Sequence, residues 1–177
     1  MALVLLLGGA RSGKSAMAVQ LAADSQAPVT FIATASAGDD EMAERIRRHR
    51  ESRAAEWKTV EAPIDVLAPI RATPAGDFIV IDCLTLWVAN LLGGGAGAAE
   101  IDSAAAETVR ALQARDSVVV SNEVGLGIVP VNELARRFRD VLGSVNALFA
   151  QAADRAVLMV AGRALDLASI ESVLERR

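Results

Sequence analysis

At 177 residues and 53% hydrophobic content the chain can bury one substantial core and is short for two, so a single domain spanning residues 1–177 is expected. A formal net charge of -4 and a sequence pI near 5.1 exclude a protein that grips nucleic acid or an anionic membrane by bulk electrostatics, leaving only local anion binding. Cys83 is the only cysteine, which excludes an internal disulfide and a cysteine-based metal cage and suits a reducing compartment, by default the cytoplasm.

The aliphatic run Ala2–Leu7 has no basic residue before it and a glycine-rich loop directly after it, so it reads as a buried strand and not as a signal peptide. A helix is expected over Lys14–Ala23, a strand over Val29–Ala33, a helix over Asp40–Arg53, a strand over Trp57–Val60 and a short helix over Asp65–Ile70. Phe78–Asp82 reads as a strand and Leu84–Leu92 as a helix. Gly93-Gly94-Gly95-Ala96-Gly97 is the one low-complexity stretch and reads as a flexible surface loop. A helix over Ile101–Arg115, a strand over Ser117–Ser121, a long helix over Asn132–Ala153 and a strand over Arg155–Val160 follow. The tail Ala168–Arg177 has room for a short helix.

In the long helix Leu134, Phe138, Val141, Leu142, Val145, Leu148, Phe149 and Ala152 form one apolar stripe, opposite Arg136, Arg137, Arg139 and Asp140. Strands alternating with helices imply βαβ units and a parallel sheet. Continuous rather than alternating apolar strands imply that helices cover both sheet faces, giving a three-layer α/β fold. No apolar stretch reaches the roughly 20 residues of a membrane helix, so no membrane insertion is expected. Six scattered aromatics and no Tyr provide no platform for single-stranded nucleic acid.

Gly8-Gly9-Ala10-Arg11-Ser12-Gly13-Lys14-Ser15 follows the first strand and opens a helix, and it fits G-x-x-x-x-G-K-[ST]. In that pattern glycines let backbone N–H groups converge on phosphate oxygens, Lys14 neutralises the terminal phosphates, and the Ser15 hydroxyl binds Mg²⁺. The helix directs its positive end at the same anion. Such a loop needs an acidic partner at a nearby strand end, and Asp82 ends Phe78-Ile79-Val80-Ile81. Asp82 can also cap the helix beginning at Leu84, and the two roles are compatible.

His49, the only histidine, lies in Arg45-Ile46-Arg47-Arg48-His49-Arg50-Glu51-Ser52-Arg53. By spacing, Met42, Ile46, His49 and Arg53 share a helical face. An isolated histidine on a basic helix is ordinarily a solvated side chain. Neighbouring guanidiniums, however, disfavour imidazolium, and a neutral ring beside phosphate-binding cations can attack phosphorus. No Gly-x-Ser-x-Gly elbow and no metal cluster accompany it.

Together these segments resemble the adenosylcobinamide kinase/adenosylcobinamide-phosphate guanylyltransferase family of cobalamin biosynthesis. The resemblance runs in order through the phosphate loop, Ile32-Ala33-Thr34, Asp39-Asp40-Glu41-Met42 with Arg45-Ile46 and His49, and Val60-Glu61-Ala62-Pro63. It continues through Asp82-Cys83-Leu84-Thr85-Leu86-Trp87 with Asn90-Leu91-Leu92, and Ser121-Asn122-Glu123-Val124-Gly125-Leu126-Gly127-Ile128-Val129-Pro130. It implies a P-loop NTPase fold of the RecA-like type. It also implies a bifunctional transferase that phosphorylates adenosylcobinamide with ATP or GTP and Mg²⁺, then transfers GMP from GTP onto that phosphate through a guanylylated histidine.

The matching position is His49, and the resemblance places Thr34, Ala35, Ser36, Arg50, Glu51, Ser52, Arg53, Glu61 and Asp82 around the nucleotide. It leaves open whether Asp82 contacts metal or ribose, and it implies a homotrimer. Asn122 and Glu123 end a central strand, where ligands sit in open α/β sheets, but the pattern gives them no role and a turn built on Gly125 and Gly127 accounts for them equally well. Two alternatives stand beside this reading: a simple small-molecule P-loop kinase in which His49 only binds nucleotide, and a nucleotide-switched binding module whose Val124–Pro130 loop contacts a protein.

Overall fold

The computed structural model describes residues 2–36, 44, 47, 50, 51 and 53–175. Seven strands, β1 (Leu3–Gly8), β2 (Val29–Ala33), β3 (Lys58–Glu61), β4 (Phe78–Asp82), β5 (Ser117–Val120), β6 (Arg155–Val160) and β7 (Arg163–Leu167), form one sheet in the order β3-β2-β4-β5-β1-β6-β7. Every pairing is parallel except β6 with β7. Helices bounded within the described residues are α1 (Lys14–Asp24), α2 (Leu67–Ala72), α3 (Leu84–Gly93), α4 (Ala98–Leu112), α5 (Glu133–Ala152) and α6 (Ile170–Leu174). The mostly parallel three-layer α/β architecture read from the sequence is the one observed. The helix expected over Asp40–Arg53 lies largely outside the described residues.

Alternation along the strands divides the core in two. Leu3, Leu5, Leu7, Ile32, Ile79, Ile81, Val119 and Ala156 face α2 to α5 and pack with Trp87, Ile101, Leu142, Val145 and Phe149. Leu6, Val29, Phe31, Val80, Val118, Val120, Val157 and Met159 face the opposite way, where Ala18 and Ala22 of α1 meet them. Small residues on α1 let that helix sit close to the sheet, which fixes its N-terminus against the end of β1. Each fully buried aliphatic or aromatic side chain contributes about 1.5–3 kcal/mol, so both faces hold the sheet rigid under the loops it carries.

Three expectations differ from what is observed. Gly93–Gly97 is a hydrogen-bonded link and not a loose loop: Gly94, Gly95 and Ala96 donate to the carbonyls of Asn90, Leu92 and Leu91, and Gly97 N–H donates to Glu100 Oε2 at 2.6 Å. β7 is an additional strand, joined to β6 by a two-residue turn in which Ala161 (φ 50) and Gly162 (φ 74) are both left-handed, as a tight hairpin requires. Leu134 stands exposed outside the stripe of α5, whereas the polar Asn146 is buried within it. Among the described residues no helix is long and apolar enough to cross a membrane.

Candidate functional site

Parallel strands end on one edge of a sheet. Pairing of Ala33 with both Glu61 and Asp82, and of Val120 with both Asp82 and Leu6, brings the ends of β1 to β5 side by side there. The phosphate loop rises from this edge. Gly8 has φ 148, and a Cβ on it would lie 2.2 Å from the Met159 carbonyl oxygen, so only glycine passes β6 at this point. Gly13 (φ 99) is the left-handed N-cap of α1. Lys14, buried at 6% exposure, donates from Nζ to Gly8 O at 2.9 Å, Gly9 O at 2.7 Å and Ser12 Oγ at 3.3 Å. Neighbouring elements brace the loop, for Glu123 N–H donates to Gly8 O at 3.1 Å and Gly162 N–H to Ser12 O at 3.0 Å.

β2 and β4 end in a mutual clasp. Thr34, fully buried, donates from Oγ1 to Cys83 O at 2.7 Å and accepts at the same atom from Cys83 N–H at 2.7 Å. Its N–H donates to Asp82 O at 3.1 Å. Asn90 of α3 donates from Nδ2 to Thr34 O at 2.9 Å and Pro63 O at 3.0 Å, and Trp87 Nε1 donates to Ile64 O at 2.7 Å. Thr34 therefore holds the strand ends together with all its polar groups, and Ala35 and Ser36 follow it at the edge. The N-cap of α3 is Cys83, so Asp82 is not itself the capping residue. Burial pushes the Cys83 thiol up, and the Asp82 charge adds to that.

The predicted basic residues divide by environment. Arg47 is paired to Glu44 at 2.7 Å and to Glu51. Arg50 Nη1 lies 4.0 Å from Glu61 Oε1, which joins two expected nucleotide-site residues. Arg53 stacks its guanidinium 3.5 Å from the centroid of Phe31, reaches Thr59 Oγ1 at 3.5 Å, and has a buried Nε with no hydrogen-bond partner among the described residues. Burial pulls Arg53 below its ordinary value and the Asp82 carboxylate opposes the shift, so Arg53 and Asp82 sense each other at the edge. His49 and Ser52 lie outside the described residues.

Position-specific polar residues beyond the phosphate motif complete the site. Asn122 N–H donates to Thr85 Oγ1 at 2.8 Å. Asn146, 5% exposed, donates from Nδ2 to Asn122 O at 3.0 Å and accepts at Oδ1 from Ser121 Oγ at 2.6 Å. Sequence reading gave Asn146 no role. The one available signal was an amide inside the apolar stripe of α5, a residue type that is buried only when its hydrogen bonds are met.

Hard oxygen donors at Ser15 and Asp82 suit Mg²⁺. Among the described residues no group of three or more His, Cys, Asp or Glu side chains forms a metal cage. A shallow depression of about 580 Å³ lined by Ile70, Arg71, Glu107, Arg110, Ala111 and Arg115 contains none of the motif residues.

The cobinamide kinase / cobinamide phosphate guanyltransferase family matches the chain over residues 4–167. The chain is similar to the bifunctional adenosylcobalamin biosynthesis protein CobP of Pseudomonas aeruginosa, 44% identical over 167 residues that cover 92% of this chain and 95% of that protein. It is also similar to the bifunctional adenosylcobalamin biosynthesis proteins CobU of Salmonella typhimurium (43% identical) and Escherichia coli (42% identical), each over 176 residues covering 90% of this chain and 96% of the relative.

Proposed function

Because this chain belongs to the cobinamide kinase / cobinamide phosphate guanyltransferase family, we propose that it phosphorylates adenosylcobinamide with ATP or GTP and then transfers GMP from GTP to adenosylcobinamide phosphate through a guanylylated His49. The observation that carries this reading is the convergence of the Lys14 loop, Asp82, Arg53 and the Arg50–Glu61 pair on one sheet edge.

In the kinase step the backbone of Gly8 to Ser15 cradles the phosphates and the Lys14 ammonium exchanges its loop carbonyls for terminal phosphate oxygens. The N-terminus of α1 adds its positive end. Ser15 and Asp82 would hold Mg²⁺, which neutralises phosphate charge when bound. Thr34 contributes by fixing the position of Ala35 and Ser36, which contact the nucleotide together with Arg50, Glu51, Ser52, Arg53 and Glu61.

In the transferase step a ring nitrogen of His49 attacks the α-phosphorus of GTP, the bond to the α,β-bridging oxygen breaks, and pyrophosphate leaves. An oxygen of adenosylcobinamide phosphate then attacks the same phosphorus and the P–N bond breaks. Two in-line displacements retain configuration at phosphorus, and the covalent intermediate divides one hard step into two easier ones.

The test is incubation with GTP labelled at the α-phosphorus, followed by mapping of the label. An acid-labile, base-stable adduct on His49 that moves to product supports the proposal, and an undiminished adduct in His49→Ala refutes the residue assignment. Label reaching product from the γ-position alone indicates a simple kinase, and slow hydrolysis without transfer indicates a binding module. The assembly is a homotrimer in the cytoplasm. Exposed Leu165, Leu167, Ile170, Val173 and Leu174 at the β7 edge supply apolar surface for subunit contact, and light scattering after gel filtration measures the mass.

A further inference from the structure

β5 lies between the strand that carries the phosphate loop and the strand that ends in Asp82, so the chain leaving Val120 emerges between the two. The segment is irregular yet fixed on several sides. Ser121 N–H donates to Leu6 O at 2.9 Å, Asn122 is held by Thr85 and Asn146, and Glu123 N–H donates to Gly8 O. Gly8 O is the same oxygen that receives Lys14 Nζ, so the Glu123 backbone and the lysine ammonium converge on one atom.

The Glu123 side chain is half-buried and its Oε1 accepts from Gly125 N–H. Among the described residues it has no ion-pair partner, and its second oxygen accepts no hydrogen bond. A residue with an uncommitted carboxylate oxygen is thus tied by its own backbone to the first glycine of the phosphate loop, within a buried polar network. Phosphoryl transfer to an alcohol needs such a group to take the hydroxyl proton.

We propose that Glu123 is the general base of the phosphoryl-transfer step, a proposal that rests on the kinase half of the function above. The acceptor oxygen bonds to the γ-phosphorus and the bond from that phosphorus to the β,γ-bridging oxygen breaks. The electron pair leaves with the nucleoside diphosphate, and the hydroxyl proton passes to the Glu123 carboxylate and then to solvent. GMP transfer needs no such base, because its acceptor is a phosphate monoester that is already ionised near neutral pH.

Glu123→Gln keeps the side-chain volume and the acceptor for Gly125 N–H but removes the basicity, so it separates catalysis from turn structure. The kcat for phosphorylation of adenosylcobinamide is expected to fall by about 10²–10⁴-fold with nucleotide KM little changed, and the acid limb of the phosphorylation pH profile to disappear. GMP transfer to presynthesised adenosylcobinamide phosphate is expected to fall far less. Glu123→Asp, which restores a base at shorter reach, is expected to recover part of the lost rate. Phosphorylation at the wild-type rate by Glu123→Gln, or an equal loss in both reactions with a lowered unfolding midpoint, overturns the assignment and leaves the kinase reading standing. Absence of phosphorylation by the wild-type protein, with GMP transfer intact, overturns both.

Discussion

Replacing Gly8 by alanine puts a methyl group where the main chain of β6 already is. The added Cβ would sit 2.2 Å from Met159 O and 3.0 Å from Ser12 Oγ, at a φ of 148 that side chains rarely adopt. Reaching ordinary contact requires the two strands to separate by roughly 1 Å, and neither can yield alone because Gly8 and Met159 are register partners in the β1–β6 ladder. Overpacking costs about 1–3 kcal/mol and a left-handed backbone in a non-glycine residue costs a similar amount, so Gly8→Ala should lose about 2–6 kcal/mol. Against a total stability on the order of 5–15 kcal/mol, the urea midpoint should drop sharply with little change in slope.

Nucleotide affinity should weaken as well, since Gly8 O orders both Lys14 Nζ and Glu123 N–H. Gly9→Ala is the control: nothing lies within 4 Å of its added Cβ, and its stability should stay within about 0.5 kcal/mol of wild type. A Gly8→Ala variant with the wild-type midpoint, or a Gly9→Ala variant equally damaged, refutes the packing argument.

Thr34→Val should cost about 1–3 kcal/mol in denaturant titration, because it strips both the donor and the acceptor from the Cys83 peptide groups, and Thr34→Ser should restore most of it. Loss of nucleotide binding without loss of stability would instead make Thr34 a direct contact. The Arg155 hydrogen bond holds the Asp166 carboxyl below its usual range, so its small contribution is present above the unfolded value of about 4 and lost as pH falls through the lower folded value. Thermal midpoints of wild type and Asp166→Asn should therefore differ slightly near neutral pH and converge in acid, and a gap that widens in acid would contradict the sign.

Residues that act through their neighbours in sequence were legible, and residues that act across the fold were not. The phosphate loop could be read because strand, glycines and helix start are contiguous, and the β2, β4 and β6 bounds because each is a short, mostly apolar run. β7 went unread because an edge strand exposed along its length carries no burial signature, although Arg163, Leu165 and Leu167 do alternate with Ala164 and Asp166 after Gly162. Thr34, Thr85, Trp87 and Asn90 were visible only as parts of motifs. Their partners are 49, 37, 23 and 56 residues away, so no local period encodes them. Arg53 was placed at the nucleotide by the family resemblance, whereas its stacking on Phe31 depends on β2 lying beneath it.

The distribution of these contacts follows from what a parallel sheet does at its edge. Strand ends gather there, which is why ligands bind there, but the ladder that satisfied their backbone groups also stops there. A buried N–H or C=O left without a partner costs about 1–3 kcal/mol, so each ligand-facing segment needs side chains to replace the missing strand. Here those side chains come from one layer: Thr85, Trp87 and Asn90 on α3, and Asn146 on α5. The opposite layer provides charge instead, with Lys14 at the start of α1 and Arg53 stacked on the Phe31 face. One layer thus holds the edge still while the other carries its cations. A sheet edge held rigid under its cations suits phosphoryl transfer, because that reaction depends on positioning and charge neutralisation more than on covalent protein chemistry.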